Sequence, residues 1–306
     1  MLFKVSSHLE KLAKNSEAVR RQFYVSPQEE KDKENSLDPL LEEEYTKTRG
    51  LVHKYENRVL ILLTLNCAAY CRFCTRRRSV SEVIKGQIDN KDLDNMVLYI
   101  KKHPEIKEVI FSGGDPLTVP SLLKQALIKI ATLPQIKIIR IGSRLPVSDP
   151  EKIDKTLLQI LQLVKKQPLY LMLHFEHPDE ITKETVKVVE KLRKLGILLF
   201  SQTVFLKGVN DSYDILYQLF SRLIEIGVKP YYLYRCDPVK GAEHFIVPFE
   251  KEVKIATRLR KNLSGLANPL YVIDTPNGTG KVPGQLHFWK NGNSYTDFED
   301  KEITIK

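Results

Sequence analysis

From Arg58 onward the chain alternates between two hydrophobic rhythms. Short apolar runs recur as RVLILLTL (58–65), KEVIFSG (107–113), KIIRIGS (137–143), LYLMLHF (169–175), ILLFSQTVFL (197–206) and KPYYLYRC (229–236). Longer segments with apolar residues at helical spacing lie between them, such as DKTLLQILQLVKK (154–166) and TKETVKVVEKLRKLG (182–196). Runs of roughly five to eight residues separated by helices of about ten or more predict sequential βα units. Six strands in parallel, joined by right-handed crossovers, give an α/β fold, either an open doubly wound sheet or a barrel.

The flanks break this rhythm. Residues 1–50 are polar and acid-rich (SPQEEKDKENSLDPLLEEEY) and predict a helical or partly irregular extension, with a turn near Ser36 to Pro39. The extension is expected to pack on the main domain or cover it. Beyond Leu263 the pattern becomes irregular through VIDTPNGTGKVPG, with a short β tail after it. The expected division is therefore 1–50, 51–262 and 263–306.

In barrels of this type chemistry gathers at the C-terminal strand ends, and the unusual residues fall there. A cysteine loop follows the first strand, SGGDP the second, GSR the third and HFEHP the fourth; SQ lies within the fifth, and CD follows the sixth.

Composition narrows the class. With 42% hydrophobic and 28% charged residues the chain is that of a soluble globular protein. Its longest largely apolar run, Val59 to Leu65, is too short to span a bilayer. The N-terminal MLFKVSSHLEKLAK lacks the apolar stretch of a secretory signal, so a cytoplasmic location is expected. The net charge of +10 is spread along the chain among 38 acids, which predicts a solvated surface more than a nucleic-acid or membrane partner.

Three of the four cysteines fall within eight residues, in NCAAYCRFCTRRR: Cys67, Cys71 and Cys74, spaced C-x3-C-x2-C. Thiolates suit iron–sulfur clusters and zinc. A structural zinc usually closes four ligands, whereas this loop supplies three, which on a cubane would leave one iron open. Cys236 as a fourth ligand keeps zinc as an alternative.

The loop resembles the cluster motif of the radical S-adenosylmethionine superfamily. That resemblance implies a partial (β/α)6 TIM-type barrel, a 4Fe–4S cluster on Cys67, Cys71 and Cys74, and S-adenosylmethionine cleaved by one electron from a donor such as flavodoxin or ferredoxin. It also implies cofactor contacts from Ser112, Gly113, Gly114 and Asp115. Over roughly residues 50–285 the chain is similar to the lysine 2,3-aminomutase family, through CTRRR, SGGDPL, RIGSR, HFEHPDE, GVND, PYYLYRCD, EHF and GxGKxP in that order.

The similarity implies an isomerase that uses pyridoxal 5′-phosphate (PLP) to move the amino group of lysine. Lys281 matches its PLP lysine; Tyr55, Lys54 and Arg58 match its other PLP contacts, with Lys54 where arginine is usual. Asn277, Gly278 and Gly280 would form a turn near the phosphate. His174, Gln202 and the Arg140–Ser143 stretch match positions near the adenosyl group and PLP. Arg76 matches the substrate-carboxylate anchor, and Asp237 and Asp274 the pair that receives the distant ammonium. His177, before Pro178, is expected to cap the next helix.

The longer members of that family bind zinc through a C-terminal cysteine cluster and have a cysteine after GVND, where Ser212 stands here. No structural zinc is expected, and a homo-oligomer would lack that tie. Two rivals remain: the same chemistry serving elongation factor P modification or another cationic amino acid, and a non-catalytic basic zinc- or nucleic-acid-binding protein. Metal analysis after anaerobic purification separates the second from an enzyme. Iron with sulfide and brown absorbance is expected; one tight zinc without iron would remove the enzyme reading.

Overall fold

The computed structural model describes residues 2–32, 34–80, 82, 86–275, 280–291 and 294–304. Ten strands form one sheet in chain order: β1 (Thr46–Thr48), β2 (Leu51–Tyr55), β3 (Arg58–Thr64), β4 (Glu108–Gly113), β5 (Ile138–Ser143), β6 (Leu169–His174), β7 (Leu198–Val204), β8 (Lys229–Tyr234), β9 (Leu270–Asp274) and β10 (Lys281–Pro283). From β3 to β9 every neighbouring pair is parallel. The β1–β2–β3 edge and the β9–β10 edge are antiparallel. The sheet stays open, because β1 and β10 are its two ends.

Alternation within the strands decides which face becomes the core. Val59, Ile61 and Leu63 of β3, Val109 and Phe111 of β4, and Ile139 and Ile141 of β5 are almost wholly buried beneath the helices. Their alternates face the other way, into the barrel interior. The register sets Leu60 opposite Ile110, Ile110 opposite Arg140, and Arg140 opposite Tyr170, forming one inward row. A slip of one residue would exchange these two sets entirely.

The crossover helices obey the complementary rule. In Lys183–Lys194 the buried residues Thr185, Val188, Val189 and Leu192 form a single stripe, and the Thr182 hydroxyl accepts from the Thr185 amide at its start. Asn90–Lys102 starts with a capping box between Asp89 and Asp92 and buries Leu93, Met96 and Ile100.

All six strands expected from the pattern are present, and β9 adds a seventh parallel one. The sequence reads as irregular there because the apolar run is only Leu270 to Ile273 and leads straight into the polar sequence DTPNGTG. The N-terminal segment contributes helices Ser7–Ala13 and Glu17–Phe23, then crosses to the far side of the barrel mouth. Near the expected turn, Ser36 forms an isolated bridge with Val239, and its carbonyl accepts from the Lys240 amide at 2.8 Å. A small sheet, Trp289–Asn291, Ser294–Thr296 and Glu302–Thr304, follows the main one.

The end of β4 lies hard against the backbone that follows β3. The Gly114 amide donates to the Thr64 carbonyl at 2.5 Å and the Asp115 amide to Asn66 O at 2.7 Å. A Cβ at Gly114 would stand 2.3 Å from Asn66 O, whereas one at Gly265 would meet nothing within 4 Å. Gly114→Ala should therefore cost more than about 2 kcal/mol in urea unfolding, with Gly265→Ala changing stability by less than about 0.5 kcal/mol.

Candidate active site

The strand ends and the N-terminal segment enclose a cavity of about 690 Å³, a size suited to small-molecule ligands. Cys67, Cys71 and Cys74 line one wall, and none is in a disulfide. Burial raises all three thiols, Cys67 furthest, with Asp115 and the other two cysteines adding to it; Cys74 is pushed up to about 11. The Arg144 guanidinium lies 2.8 Å from Cys71 Sγ and 2.6 Å from Glu180, and stacks over Phe23. Among the described residues no three His, Cys, Asp or Glu side chains converge on a common metal-binding point. Cys236 lies apart, buried among Phe73, Leu206, Val239 and Phe245, with burial raising its thiol.

Four arginines crowd the cysteine loop, and acids of the N-terminal segment meet each of them. Glu29 pairs with Arg72 and, at 2.7 Å, with Arg77. Glu42 grips Arg76 in a fork, 2.8 Å from Nε and 2.6 Å from Nη2. Arg78 meets Asp38 at 3.1 Å and Glu43 at 3.0 Å. Arg77 and Arg78, which could read as a nucleic-acid patch, are thus engaged within the chain. Nothing in the acid run 29–44 marks Glu29 or Glu42 beforehand.

The last strands bring residues distant in sequence together in the same cavity. Lys281 stands directly across from Asp274 in the β9–β10 pair, and its Nζ lies 2.9 Å from Asp274 Oδ1. Asp237, after β8, lines the same wall; burial and then Asp274 push its carboxyl up to about 7, against the opposing Lys281 and Lys54 charges. Arg58 stacks on Tyr55 at 3.8 Å, and Lys54 lies 5.8 Å from the same ring. Burial lowers the Lys54 amine. The Tyr55 hydroxyl is buried with no hydrogen-bond partner among the described residues. Asn277 and Gly278 lie outside the described residues; Gly280 follows them with φ 155°.

The middle of the cavity belongs to β4–β8. His174 and Gln202 are direct neighbours across β6 and β7, and Gln202 Nε2 donates to the Tyr234 hydroxyl at 3.0 Å. Burial, reinforced by the Arg144 and Arg76 charges, holds His174 down to about 4, so its ring is neutral near pH 7. The Ser112 hydroxyl lies 3.3 Å from Arg76 Nη1. Asp115 is committed inward: its carboxylate accepts from Ser143 Oγ and from the Leu117, Arg144 and Leu145 amides. Gly113 and Gly114 make their closest approach to the Thr64–Asn66 backbone. This group therefore fixes the cysteine loop relative to β5, and Ser112, Gly113, Gly114, Asp115, His174 and Gln202 all line the cavity. His177 caps Pro178–Glu180, accepting from the Asp179 amide.

Residues 61–220 match the radical SAM superfamily. The chain belongs to that superfamily. It is 41% identical over 247 residues to an L-lysine 2,3-aminomutase of Acetoanaerobium sticklandii, covering 80% of this chain and 59% of that protein. It is also 36% identical over 258 residues to a glutamate 2,3-aminomutase of Clostridioides difficile, covering 82% of this chain and 59% of that protein. The chain therefore spans less than two thirds of these relatives' length. A radical SAM methyltransferase from Sphaerobacter thermophilus shares the fold, with TM-score 0.52 at 14% identity, covering 73% of this chain and 68% of that one. Among the described residues no helix is long and apolar enough to cross a membrane.

Superfamily membership implies a 4Fe–4S cluster and S-adenosylmethionine, and the lysine aminomutases use PLP. The residues of this radical SAM protein fit them. Three half-buried soft thiols line the cavity beside a guanidinium, suiting an anionic thiolate-held cluster. The orphaned Tyr55 hydroxyl beside Lys54 and Arg58 is a ready donor set for a phosphate.

Placing Asp237 near Asp274 carries a pH signature. A carboxyl raised to about 7 when folded retains its proton where the unfolded chain has lost it, so its stabilising share is complete below about pH 4 and is lost as pH rises to 7. Asp237→Asn should escape that loss. Its thermal stability relative to the parent should grow between about pH 4 and 7, reaching on the order of 4 kcal/mol; a gap constant with pH would contradict the assignment.

Proposed function

We propose that this chain is a lysine 2,3-aminomutase, interconverting L-α-lysine and β-lysine by a radical 1,2-amino shift. The carrying observation is the placement of Arg76, Asp237, Asp274 and Lys281 in one cavity with the three cysteines. In this reading Cys67, Cys71 and Cys74 hold the cluster, and Ser112, His174 and Gln202 face S-adenosylmethionine. Tyr55, Lys54 and Arg58 hold the PLP phosphate, and Lys281 is its covalent anchor. When bound, the cluster and S-adenosylmethionine supply a carbon radical that takes hydrogen from the substrate, and PLP supplies the unsaturation that lets the amino group migrate.

The protein's own residues do the positioning. Arg76 presents N–H donors to the α-carboxylate, and Asp237 and Asp274 receive the ε-ammonium. With one cationic and two anionic groups lining the same cavity, a zwitterion with a cationic tail fits one way round. A glutamate side chain would meet two carboxylates where lysine meets a salt bridge, which favours lysine over the glutamate chemistry of one relative. Asp274, beside Lys281 Nζ, is placed to hold the proton that this amine must lose before it acts as a nucleophile. Neutral His174 can hydrogen-bond an uncharged ligand group without adding charge near the radical site. Leu40 and Glu42 cover the mouth and keep water from the reactive centre.

The domains follow the same logic: 1–50 as cover, 51–262 as barrel, 263–306 as the segment carrying the PLP lysine. A cytoplasmic setting with a small iron–sulfur or flavin electron donor matches this chemistry. Anaerobic reconstitution with iron, sulfide, PLP and S-adenosylmethionine should yield β-lysine from L-lysine in preference to ornithine, arginine or glutamate. Borohydride should trap PLP on the Lys281 peptide. Inactivity on free lysine would overturn the substrate assignment, and a label elsewhere would overturn the anchor.

A further inference from the structure

We infer that Glu42 is a substrate-positioning residue: by taking the Nε and Nη2 side of Arg76, it fixes the guanidinium so that Nη1 is left for the substrate carboxylate. The inference deepens the lysine reading above and rests on it for the identity of the substrate. An unrestrained arginine would have to surrender its rotamer freedom when a carboxylate docks, whereas a fork held in advance has already lost it. The holding is close and buried: 2.8 Å and 2.6 Å to the two Glu42 oxygens, with the residue 8% exposed. By contrast, Nη1 makes only long contacts, 3.3 Å to Ser112 Oγ and 3.4 Å to the Gly113 carbonyl, and these are contacts a carboxylate oxygen can replace.

A second observation comes from the backbone. Leu41, immediately before Glu42, has φ 53°, a left-handed conformation that a leucine adopts only when its surroundings impose it. Asp38 and Glu43 are held by Arg78, and the Leu37 carbonyl accepts from Arg78 Nη1 at 3.2 Å. The segment is thus pinned on both sides of Glu42, and its carboxylate is delivered to Arg76 at the expense of a strained residue. A solvated ion pair on a loose extension would require none of this.

Fixing one carboxylate beside the anchor also shapes selectivity. The substrate carboxylate docks next to Glu42, so the anchor accepts a single carboxylate through Nη1 and has no vacant fork for a second. The role differs from competition, in which Glu42 would occupy the place of the substrate and its removal would tighten binding.

Binding to the iron-, sulfide- and PLP-loaded protein distinguishes these cases, using calorimetry with L-lysine and with cadaverine, its analogue without a carboxylate. Glu42→Gln should weaken L-lysine by about tenfold, as expected for loss of a charge-assisted pair, and leave cadaverine unchanged; Glu42→Asp should fall between. Equal weakening of both ligands would reveal a merely structural role, and unchanged or tighter lysine binding would overturn the inference. Independently of any substrate, Arg76 should be modified faster by phenylglyoxal in Glu42→Gln than in the parent, as read by peptide mapping. If the parent binds no lysine, the substrate assignment falls. The labelling then decides alone, and equal Arg76 modification would remove the positioning role too.

Discussion

The structure depends on neutralising one loop. Arg72, Arg76, Arg77 and Arg78 fall within seven positions around the third cysteine, and a cluster of four guanidinium groups cannot be buried unpaired. Glu29, Asp38, Glu42 and Glu43 cancel that charge. Once cancelled, Arg72 can lie almost wholly buried, and the loop can lean inward as a wall of the cavity with its thiols beneath it. Without the pairing the loop would have to stay in water, and the thiols with it.

A second constraint works at the opposite edge. Because β10 folds back on β9, Lys281 and Asp274 are cross-strand partners and share a face. Asp237 joins them from the end of β8, the next strand. Burial, and after it the neighbouring Asp274, makes an ionised Asp237 costly, and its raised carboxyl is the visible sign. Such a cost is typical of a site organised for a charged ligand in place of maximal stability. The open sheet allows this, since its two unclosed edges carry β2 with Tyr55 and β10 with Lys281 toward one cavity.

Much of this was legible beforehand. Short apolar runs separated by helix-spaced segments make β3 to β8 stand out in the sequence; motifs at their ends draw attention to the thiols, Arg76 and Asp237, and the family resemblance draws it to Lys281. β9 escaped because its apolar run, Leu270 to Ile273, is only four residues long and leads straight into the polar sequence DTPNGTG. Glu42 escaped for a different reason: one acid in a run of acids looks solvated, and only three-dimensional proximity distinguishes the one that holds an arginine. The glycines of SGGDP were identified by type, but the surface they approach is the chain itself, between Thr64 and Asn66.

The arginine–carboxylate pairs also impose a direction on biosynthesis. Glu29 precedes Arg72 by 43 residues and Arg77 by 48, and Glu42 precedes Arg76 by 34. A ribosome releases chains from the N-terminus, so each anion is already outside the exit tunnel when its cation emerges. In the folded chain the same acid-rich segment contributes Leu40 and Glu42 to the lining of the finished cavity.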